Sequence, residues 1–291
     1  MKLVTFTHGG ATRVGVVVGE EVVDVSAHHP NAPRDMLTFL EQGQSAMTLA
    51  REASASGQHR LALADVQLEA PIQRPPKILA VGLNYHDHVQ ETGLPMPKVP
   101  MIFNKQSTAA TGPGAPIHRP KDSDDLDYEG ELGIVIGKRC RRVPKDQALA
   151  VIAGYTIVND VSVRDWQLRS ATTTMGKSWD THCPFGPYIV TTDEVTDPHQ
   201  LALKTWVNGE LRQNSNTKHL IFNCFDIIEH LSTAFTLEPG DVIATGTPSG
   251  VALGMNPKIW LKPGDVVRIA IDQLGVLENP VIAEPESTRQ L

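Results

Sequence analysis

The chain has 291 residues, of which 41% are hydrophobic, and its 26 basic and 33 acidic side chains give a net charge of −7. This length is enough for one large domain or two modest ones with a buried core. The acidic balance argues against a general binder of nucleic-acid backbones, and 20% charged residues without a low-complexity run argue against a disordered chain.

The cysteines and the apolar runs indicate the compartment. The chain has three cysteines, Cys140, Cys183 and Cys224, and none of them forms a CxxC pair. We therefore expect reduced thiols and no cysteine zinc site. The N-terminal residues lack a signal-peptide core, and the longest apolar runs have the length of strands. We therefore predict a soluble, cytoplasmic protein that binds neither a membrane nor nucleic acid.

The sequence pattern of residues 1–72 predicts a small N-terminal α+β domain. A single helix with one apolar face is predicted over 34–55. Three prolines between 71 and 76 mark the boundary to a larger domain at 73–291. Short β-branched runs broken by glycines predict an antiparallel meander over 2–7, 13–18 and 21–25.

The larger domain is predicted to be rich in strands. It shows no regular βαβ alternation and no internal repeat, so the predicted fold class is α+β and β-rich. Helices are predicted over 85–92, 145–151 and 223–235. Strands are predicted over 78–82, 100–104, 127–137, 151–159, 186–192, 201–207, 241–245 and 265–272.

Three carboxylates are candidate metal ligands. On a strand, Glu129 and Glu131 share one face with their Cα atoms roughly 6.5–7 Å apart, a separation at which a cation would relieve their repulsion. An edge strand with two solvated glutamates fits this pattern equally well. Asp160 adds a third carboxylate where an apolar run ends with no Gly or Pro after it. Carboxylates without His or Cys favour Mg²⁺, Mn²⁺ or Ca²⁺.

Acid–base candidates follow the strand at 78–82. His88 and Glu91 are i,i+3 neighbours on a helical turn, so they could form a water-activating pair or belong to an ordinary surface helix. Lys177 could face an anionic intermediate or solvent. The loop at 246–250 could hold an anion on its backbone N–H groups or be a plain turn.

The chain resembles the fumarylacetoacetate hydrolase family over about residues 75–282. The resemblance rests on motifs that occur in the same order along the chain. They are Val81-Gly82-Leu83-Asn84-Tyr85-His86-Asp87-His88, Glu129-x-Glu131, Asn159-Asp160-Val161-Ser162-Val163-Arg164-Asp165, Gly176-Lys177-Ser178, Val207-Asn208-Gly209-Glu210, and Pro239-Gly240-Asp241-Val242-Ile243 followed by Thr245-Gly246-Thr247-Pro248.

The resemblance implies a mixed β-sandwich roll with a small N-terminal accessory domain, commonly assembled as a homodimer. It implies a bound Mg²⁺ or Mn²⁺ and an acid–base pair on a segment that orders over the substrate. The residues it implies are Glu129, Glu131 and Asp160 for the metal, His88, Glu91 and Lys177 for catalysis, and Arg164, Gln167 and Thr247 for the substrate.

The expected activity is hydrolysis of a C–C bond in a β-diketo or acylpyruvate-type acid through an enolate held by the metal and Lys177. Alternatives on the same site are decarboxylation of an oxaloacetate-type acid and isomerisation or decarboxylation of a 2-hydroxy-dienoate. A non-catalytic binding module is a third hypothesis. His86 and Gln106 depart from residues usual in the family and are expected near the pocket mouth, so they bear on substrate choice.

Overall fold

The computed structural model describes residues 1–288 and arranges them in three layers. The helices are α1 Val25–His28, α2 Met36–Gln42, α3 Gln44–Ser56, α4 His86–Thr92, α5 Arg164–Gln167, α6 Thr174–Lys177 and α7 Cys224–Ala234. The strands are β1 Lys2–His8, β2 Ala11–Val18, β3 Glu21–Asp24, β4 Arg60–Ala62, β5 Gln67–Leu68, β6 Ile78–Gly82, β7 Met101–Lys105, β8 Ala110–Thr111, β9 Ile117–Arg119, β10 Leu126–Asp127, β11 Gly130–Ile136, β12 Ile152–Asn159, β13 Ser162–Val163, β14 Cys183–Thr191, β15 Ala202–Val207, β16 Glu210–Asn216, β17 Val242–Ala244, β18 Val266–Ile271 and β19 Gly275–Ala283.

A 12-stranded mixed sheet forms the middle layer. Its main path is β4-β3-β2-β1-β14-β12-β11-β17-β6-β7, and β5 and β8 pair with β1 and β14 off this path. Strand β7 is the last strand of this path, and one short turn connects it to β8. Because β8 pairs with the central strand β14, the end of β7 lies near the middle of the sheet. A five-stranded sheet, β16-β15-β18-β19-β9, forms a second layer. The prediction of a strand-rich α+β fold is confirmed.

The N-terminal strands continue the sheet of the larger region. β1 pairs antiparallel with β14 through Lys2↔Val190 and Leu3↔Ile189, so main-chain pairing crosses the predicted boundary at residue 72. The division into two domains stays a prediction. The helices α2 and α3 cover one face of the large sheet, and their buried side chains share a core with β1, β2 and the far face of β11 and β12.

Strand β11 lies at the centre of the large sheet, between β12 and β17, and all of its residues are buried. Its side chains alternate as expected for a strand. Leu132, Ile134 and Ile136 pack toward the five-stranded sheet and α7, whereas Val135 packs toward the N-terminal helices. The alternative of a solvated edge strand is therefore wrong.

Several predicted elements differ in the structure. The helix predicted over 145–151 is the 3₁₀ helix Lys145–Val151. The helix predicted over 34–55 is two helices, because Gly43 adopts φ +56° and ψ −125° and interrupts the helical backbone. The strand predicted over 127–137 is interrupted, since β10 pairs with β13 and β11 begins only at Gly130. The strands β16 and β19 had no predicted counterpart, and β16 is a largely polar strand at the sheet edge.

The central strand allows a prediction about stability. Ile134 is fully buried, so Ile134→Ala removes packed side-chain atoms and leaves a cavity that should cost about 2–5 kcal/mol of unfolding free energy. Urea unfolding followed by circular dichroism measures this loss. The matched control is Leu211→Ala on β16, where the side chain is 46% exposed and the change should stay within about 0.5 kcal/mol. Equal losses for both variants would contradict the assignment of Ile134 to the core.

Among residues 1–288, no helix is both long and apolar enough to cross a lipid bilayer.

Candidate metal centre and acid–base site

The three predicted metal ligands converge because β11 and β12 are antiparallel. Gly130, the first residue of β11, pairs with Asn159, the last of β12, so the residues flanking this pair meet at one end of both strands. The Asp160 backbone N–H donates to the Glu129 carbonyl at 2.9 Å. Carboxylate oxygens of Glu129, Glu131 and Asp160 lie within 4.8 Å of one another, and all three residues are buried.

Two lysines neutralise part of this cluster. The Lys177 Nζ donates to Glu129 Oε2 at 2.7 Å and to Asp160 Oδ2 at 2.9 Å. The Lys105 Nζ donates to the other Asp160 oxygen at 2.6 Å and to the Val161 carbonyl at 3.1 Å. Both lysines are almost completely buried, so their charges act at low dielectric. Burial opposes ionisation of Lys177, yet Asp160 and Glu129 raise its pKa above the ordinary value.

Arg164 contacts Glu129 of the cluster and the neighbouring Asp127. Its NH1 group contacts Glu129 Oε1 at 2.7 Å and donates to Gln167 Oε1 at 2.8 Å, while its Nε donates to Asp127 at 2.8 Å. Burial opposes ionisation of Glu129, but Lys177 and Arg164 lower its pKa to about 2. Because the Gln167 oxygen faces Arg164, the amide NH₂ of Gln167 is left to donate elsewhere.

Glu131 lacks such a cation partner in the described chain. Its Oε2 accepts a hydrogen bond from the Gly246 backbone N–H at 2.6 Å. Burial, together with the nearby charges of Asp160 and Glu129, raises its pKa well above the ordinary glutamate value. The site therefore holds one carboxylate whose negative charge is poorly compensated.

Charge and donor chemistry of the site fit a divalent cation. Three buried carboxylates lie within reach of one ion, and oxygen ligands of this kind suit Mg²⁺, Mn²⁺ and Ca²⁺. An ion here would supply the positive charge that Glu131 lacks. Among the described residues, four buried carboxylates around this point face three buried lysine or arginine side chains: Asp127, Glu129, Glu131 and Asp160 against Lys105, Arg164 and Lys177.

The two residues of the predicted acid–base pair contact each other. His88 Nδ1 lies 2.9 Å from Glu91 Oε2 on helix α4, and His88 is buried. Since a carboxylate accepts, Nδ1 carries a proton in this contact, and in the neutral imidazole Nε2 then keeps its lone pair. Glu91 is itself held by the Gly250 backbone N–H, which donates to Oε1 at 2.8 Å. When its imidazole is protonated, His88 lies close enough to lower the pKa of Glu129.

One loop connects the metal ligands and the acid–base pair. The segment 246–250 binds Glu131 through Gly246 and Glu91 through Gly250. In the middle of this loop, the Thr247 hydroxyl donates to the Gly130 carbonyl at 3.0 Å. The alternative of a plain turn therefore does not describe this loop, since its backbone donors fix carboxylates of both functional groups.

All nine predicted site residues lie in this region, and their contacts link them directly or through the 246–250 loop. Sequence reasoning gave no role to Asp127, Lys105 and Gln213, which the structure adds to the cluster or to the loop. Lys105 is the last residue of the strand Met101–Lys105, and its position at a strand end could have drawn attention to it. His86 and Gln106 are exposed, in agreement with a position at the rim.

The family model described as fumarylacetoacetate (FAA) hydrolase C-terminal matches residues 77–282. The oxaloacetate tautomerase fahd2 of Xenopus laevis, named as mitochondrial, is 43% identical over 288 residues, which cover 97% of this chain and 90% of that protein. This name does not support the predicted cytoplasmic location, which stays a prediction.

The solved structures that match include two for which the match covers 98% of this chain and 100% of the other chain. One is the maleylpyruvate hydrolase from Sphingobium sp. SYK-6 in complex with manganese (II) ion and pyruvate, with a TM-score of 0.83 and 35% identity. The other is the 2-hydroxyhepta-2,4-diene-1,7-dioate isomerase from Mycobacterium marinum, with a TM-score of 0.78 and 35% identity. The relatives thus include a hydrolase, an isomerase and a tautomerase, and one holds a divalent metal.

The matched model covers well over half of the chain, and the relatives exceed 30% identity over nearly all of it. The fold and the cluster of three carboxylates agree with the same assignment. The chain therefore belongs to the fumarylacetoacetate hydrolase family of enzymes.

Proposed function

We propose that this protein is a divalent-metal-dependent tautomerase that interconverts the keto and enol forms of oxaloacetate. The observation that carries the proposal is the shared loop at 246–250, which holds Glu131 of the carboxylate cluster and Glu91 of the acid–base pair. A base and a cation site are thereby fixed to one short segment. The identity of 43% to an oxaloacetate tautomerase supports this choice of substrate.

The residues of this chain have distinct tasks in that reaction. Glu129, Glu131 and Asp160 would hold Mg²⁺ or Mn²⁺, with Ca²⁺ as a further candidate. What the ion would supply is Lewis-acid polarisation of the carboxylate and keto oxygens of a 2-oxo acid.

The proton transfer is assigned to His88. Its Nε2 takes a proton from the carbon next to the keto group, and Glu91 stabilises the imidazolium that forms. The electron pair of the broken C–H bond forms the C=C bond, and the π pair of the C=O bond moves to the keto oxygen. That oxygen then takes a proton from solvent to give the enol. Lys177 places an ammonium group where it can stabilise the negative charge that develops on that oxygen.

Hydrolysis of a C–C bond in an acylpyruvate-type acid is the second candidate function. It is favoured by the likeness to the maleylpyruvate hydrolase and by a His88–Glu91 pair that could equally take a proton from water. Decarboxylation of oxaloacetate and isomerisation of a 2-hydroxy-dienoate use the same groups and remain alternatives. The substrate in every case is a small diketo or oxo acid, or the enol form of such an acid.

A side-by-side assay separates these reactions. Freshly dissolved enol-oxaloacetate, an acylpyruvate and a 2-hydroxy-dienoate are each supplied with Mg²⁺ or Mn²⁺, and loss of the enol absorbance, pyruvate release and CO₂ release are followed. We expect saturable acceleration of enol loss that disappears when EDTA removes the metal. A higher kcat/KM for acylpyruvate cleavage than for enol loss would overturn the proposal in favour of the hydrolase.

We also propose that the protein is a homodimer without nucleic-acid partners, on the basis of the family and of the acidic net charge. Light scattering after size exclusion should give twice the chain mass of 31.7 kDa. A mass of one chain would contradict the dimer.

A further inference from the structure

Gln213 lies on strand β16 of the smaller sheet and is fully buried against the metal-ligand strand. Its Oε1 accepts from the Gly130 backbone N–H at 3.0 Å. Its Nε2 donates to Thr247 Oγ1 at 2.8 Å and to the Pro248 carbonyl at 2.9 Å. One side chain thus joins the residue between the two metal-ligating glutamates to the loop that holds Glu131 and Glu91.

Hydrogen bonds link Gly130, Gln213 and Thr247 in a closed ring, in which each donor and acceptor can be assigned in only one way. The Gly130 N–H can only donate, and the carbonyls of Gly130 and Pro248 can only accept. The Gln213 oxygen must therefore face Gly130, its NH₂ must face the loop, and the Thr247 hydroxyl must donate to the Gly130 carbonyl at 3.0 Å. A flipped amide would place an NH₂ group against an N–H and an oxygen against a carbonyl.

Close packing reinforces the ring. A Cβ at Gly130 would lie 2.4 Å from Thr205 Oγ1 and 3.2 Å from Gln213 Oε1, so the strand approaches the smaller sheet more closely than another residue would allow. A Cβ at Gly250 would lie 2.0 Å from the Arg212 carbonyl oxygen. Both the ligand strand and the loop are therefore pressed against the same stretch of β16.

We propose that Gln213 is a positioning residue that sets the Glu129–Glu131 segment and the 246–250 loop in register with each other. A consequence concerns Thr247, whose only proton is given to Gly130. Any substrate group or water that reaches the Thr247 oxygen must donate to it, as a hydroxyl does and a carboxylate cannot. Toward the enol form of an oxo acid, the role of Thr247 is therefore to accept a hydrogen bond from the enol hydroxyl group.

Variants of the full-length protein test the proposal. Gln213→Met removes every polar contact of the ring, and Gln213→Glu keeps an acceptor for Gly130 but no donor for the loop. Thr247→Val and the double variant Gln213→Met/Thr247→Val test whether both residues act through one ring. Thr205→Val is the matched control, because Thr205 pairs with Gln213 across the sheet and its hydroxyl has no hydrogen-bond partner among the described residues.

Binding of Mn²⁺ alone and the kinetics of enol-oxaloacetate are both measured. We expect each Gln213 variant to lose about 10–100-fold in Mn²⁺ affinity or in kcat, as is typical for groups that orient metal ligands. The double variant should lose no more Mn²⁺ affinity or kcat than the more impaired of its two single variants. Thr205→Val should stay within about twofold of the wild type in both quantities.

Two results would overturn the inference. One is a folded Gln213 variant with wild-type Mn²⁺ affinity and wild-type kcat, even if its unfolding temperature is lower, since that describes a merely structural residue. The other is a double variant in which the fold-loss of Mn²⁺ affinity or kcat equals the product of the losses in the two single variants. The kinetic part of this inference rests on the proposed function, but the Mn²⁺ measurement does not, so failure of tautomerase activity in the wild type leaves the Gln213 test intact.

Discussion

Glu131→Gln is expected to weaken divalent-metal binding by at least about 100-fold and to abolish metal-dependent activity. Groups that merely orient a metal ligand cost about 10–100-fold when they are changed, and Glu131 is itself one of three carboxylates that converge on one point. The amide that replaces it keeps a carbonyl oxygen for the Gly246 N–H, so the local fold should persist. What is lost is the negative charge that the cation compensates.

In the metal-free protein the same substitution should raise the free energy of unfolding. Burial, Asp160 and Glu129 raise the pKa of Glu131 well above its ordinary value. A carboxyl with a higher pKa in the folded than in the unfolded state destabilises the fold as the pH rises above the unfolded value of about 4.3. This loss of stability continues until the raised pKa is passed, and the Glu131→Gln variant should not show it.

Thermal unfolding with EDTA and with excess Mn²⁺ measures both effects. A metal at 100 times its Kd should stabilise the wild type by about 2.7 kcal/mol, and this gain should vanish in the variant. Glu41→Gln is the matched control, because Glu41 is an exposed glutamate on α2, distant from the cluster in the chain. If Glu131→Gln kept the full Mn²⁺-dependent rise in Tm, the assignment of Glu131 as a ligand would be wrong.

The parts of the site that could be predicted from the sequence are those fixed by local geometry. Glu129 and Glu131 are two residues apart beside a strand, and His88 and Glu91 are three apart on one helical turn, so spacing alone brings each pair together. Asp160 could be added because it ends an apolar run.

Long-range contacts could not be predicted in this way. Lys105 and Asp160 are separated by 55 positions, and their contact depends on how the large sheet brings β7 near the end of β12. Gly130 and Gln213 are separated by 83 positions, and their contact depends on how the two sheets pack. Gln213 also sits in a polar stretch that gave no strand signal, although alternation along β16 buries it completely. The break at Gly43 was missed for another reason, since apolar periodicity continues across a single residue with positive φ.

His88→Ala is expected to lower kcat by about 10²–10⁴-fold without loss of metal binding. His88 is not among the three clustered carboxylates, and its hydrogen bond is made to Glu91 on the same helix. The Mn²⁺-dependent rise in Tm should therefore remain close to that of the wild type. Gln90→Ala is the matched control, because Gln90 is exposed on α4 between the two residues of the pair.

Glu91→Gln tests the same pair from the other side. The amide has one oxygen, so it can accept from His88 Nδ1 or from the Gly250 N–H but not from both, and it would not stabilise the imidazolium. The kcat should therefore fall. We expect a smaller loss than for His88→Ala, with KM nearly unchanged.

The pattern of loss across reactions distinguishes the mechanisms. Tautomerisation and C–C hydrolysis both need a group that moves a proton, so either activity should nearly vanish in His88→Ala. Loss of CO₂ from oxaloacetate needs the electron sink at the cation but no base, so a decarboxylase would keep substantial activity. If His88→Ala retained enol turnover within about tenfold of the wild type, the loss would lie well below the range expected of a general base, and the assignment of His88 would fail. The proton would then have to move through another group, for which Lys177, hydrogen-bonded to Glu129 and Asp160, is a candidate.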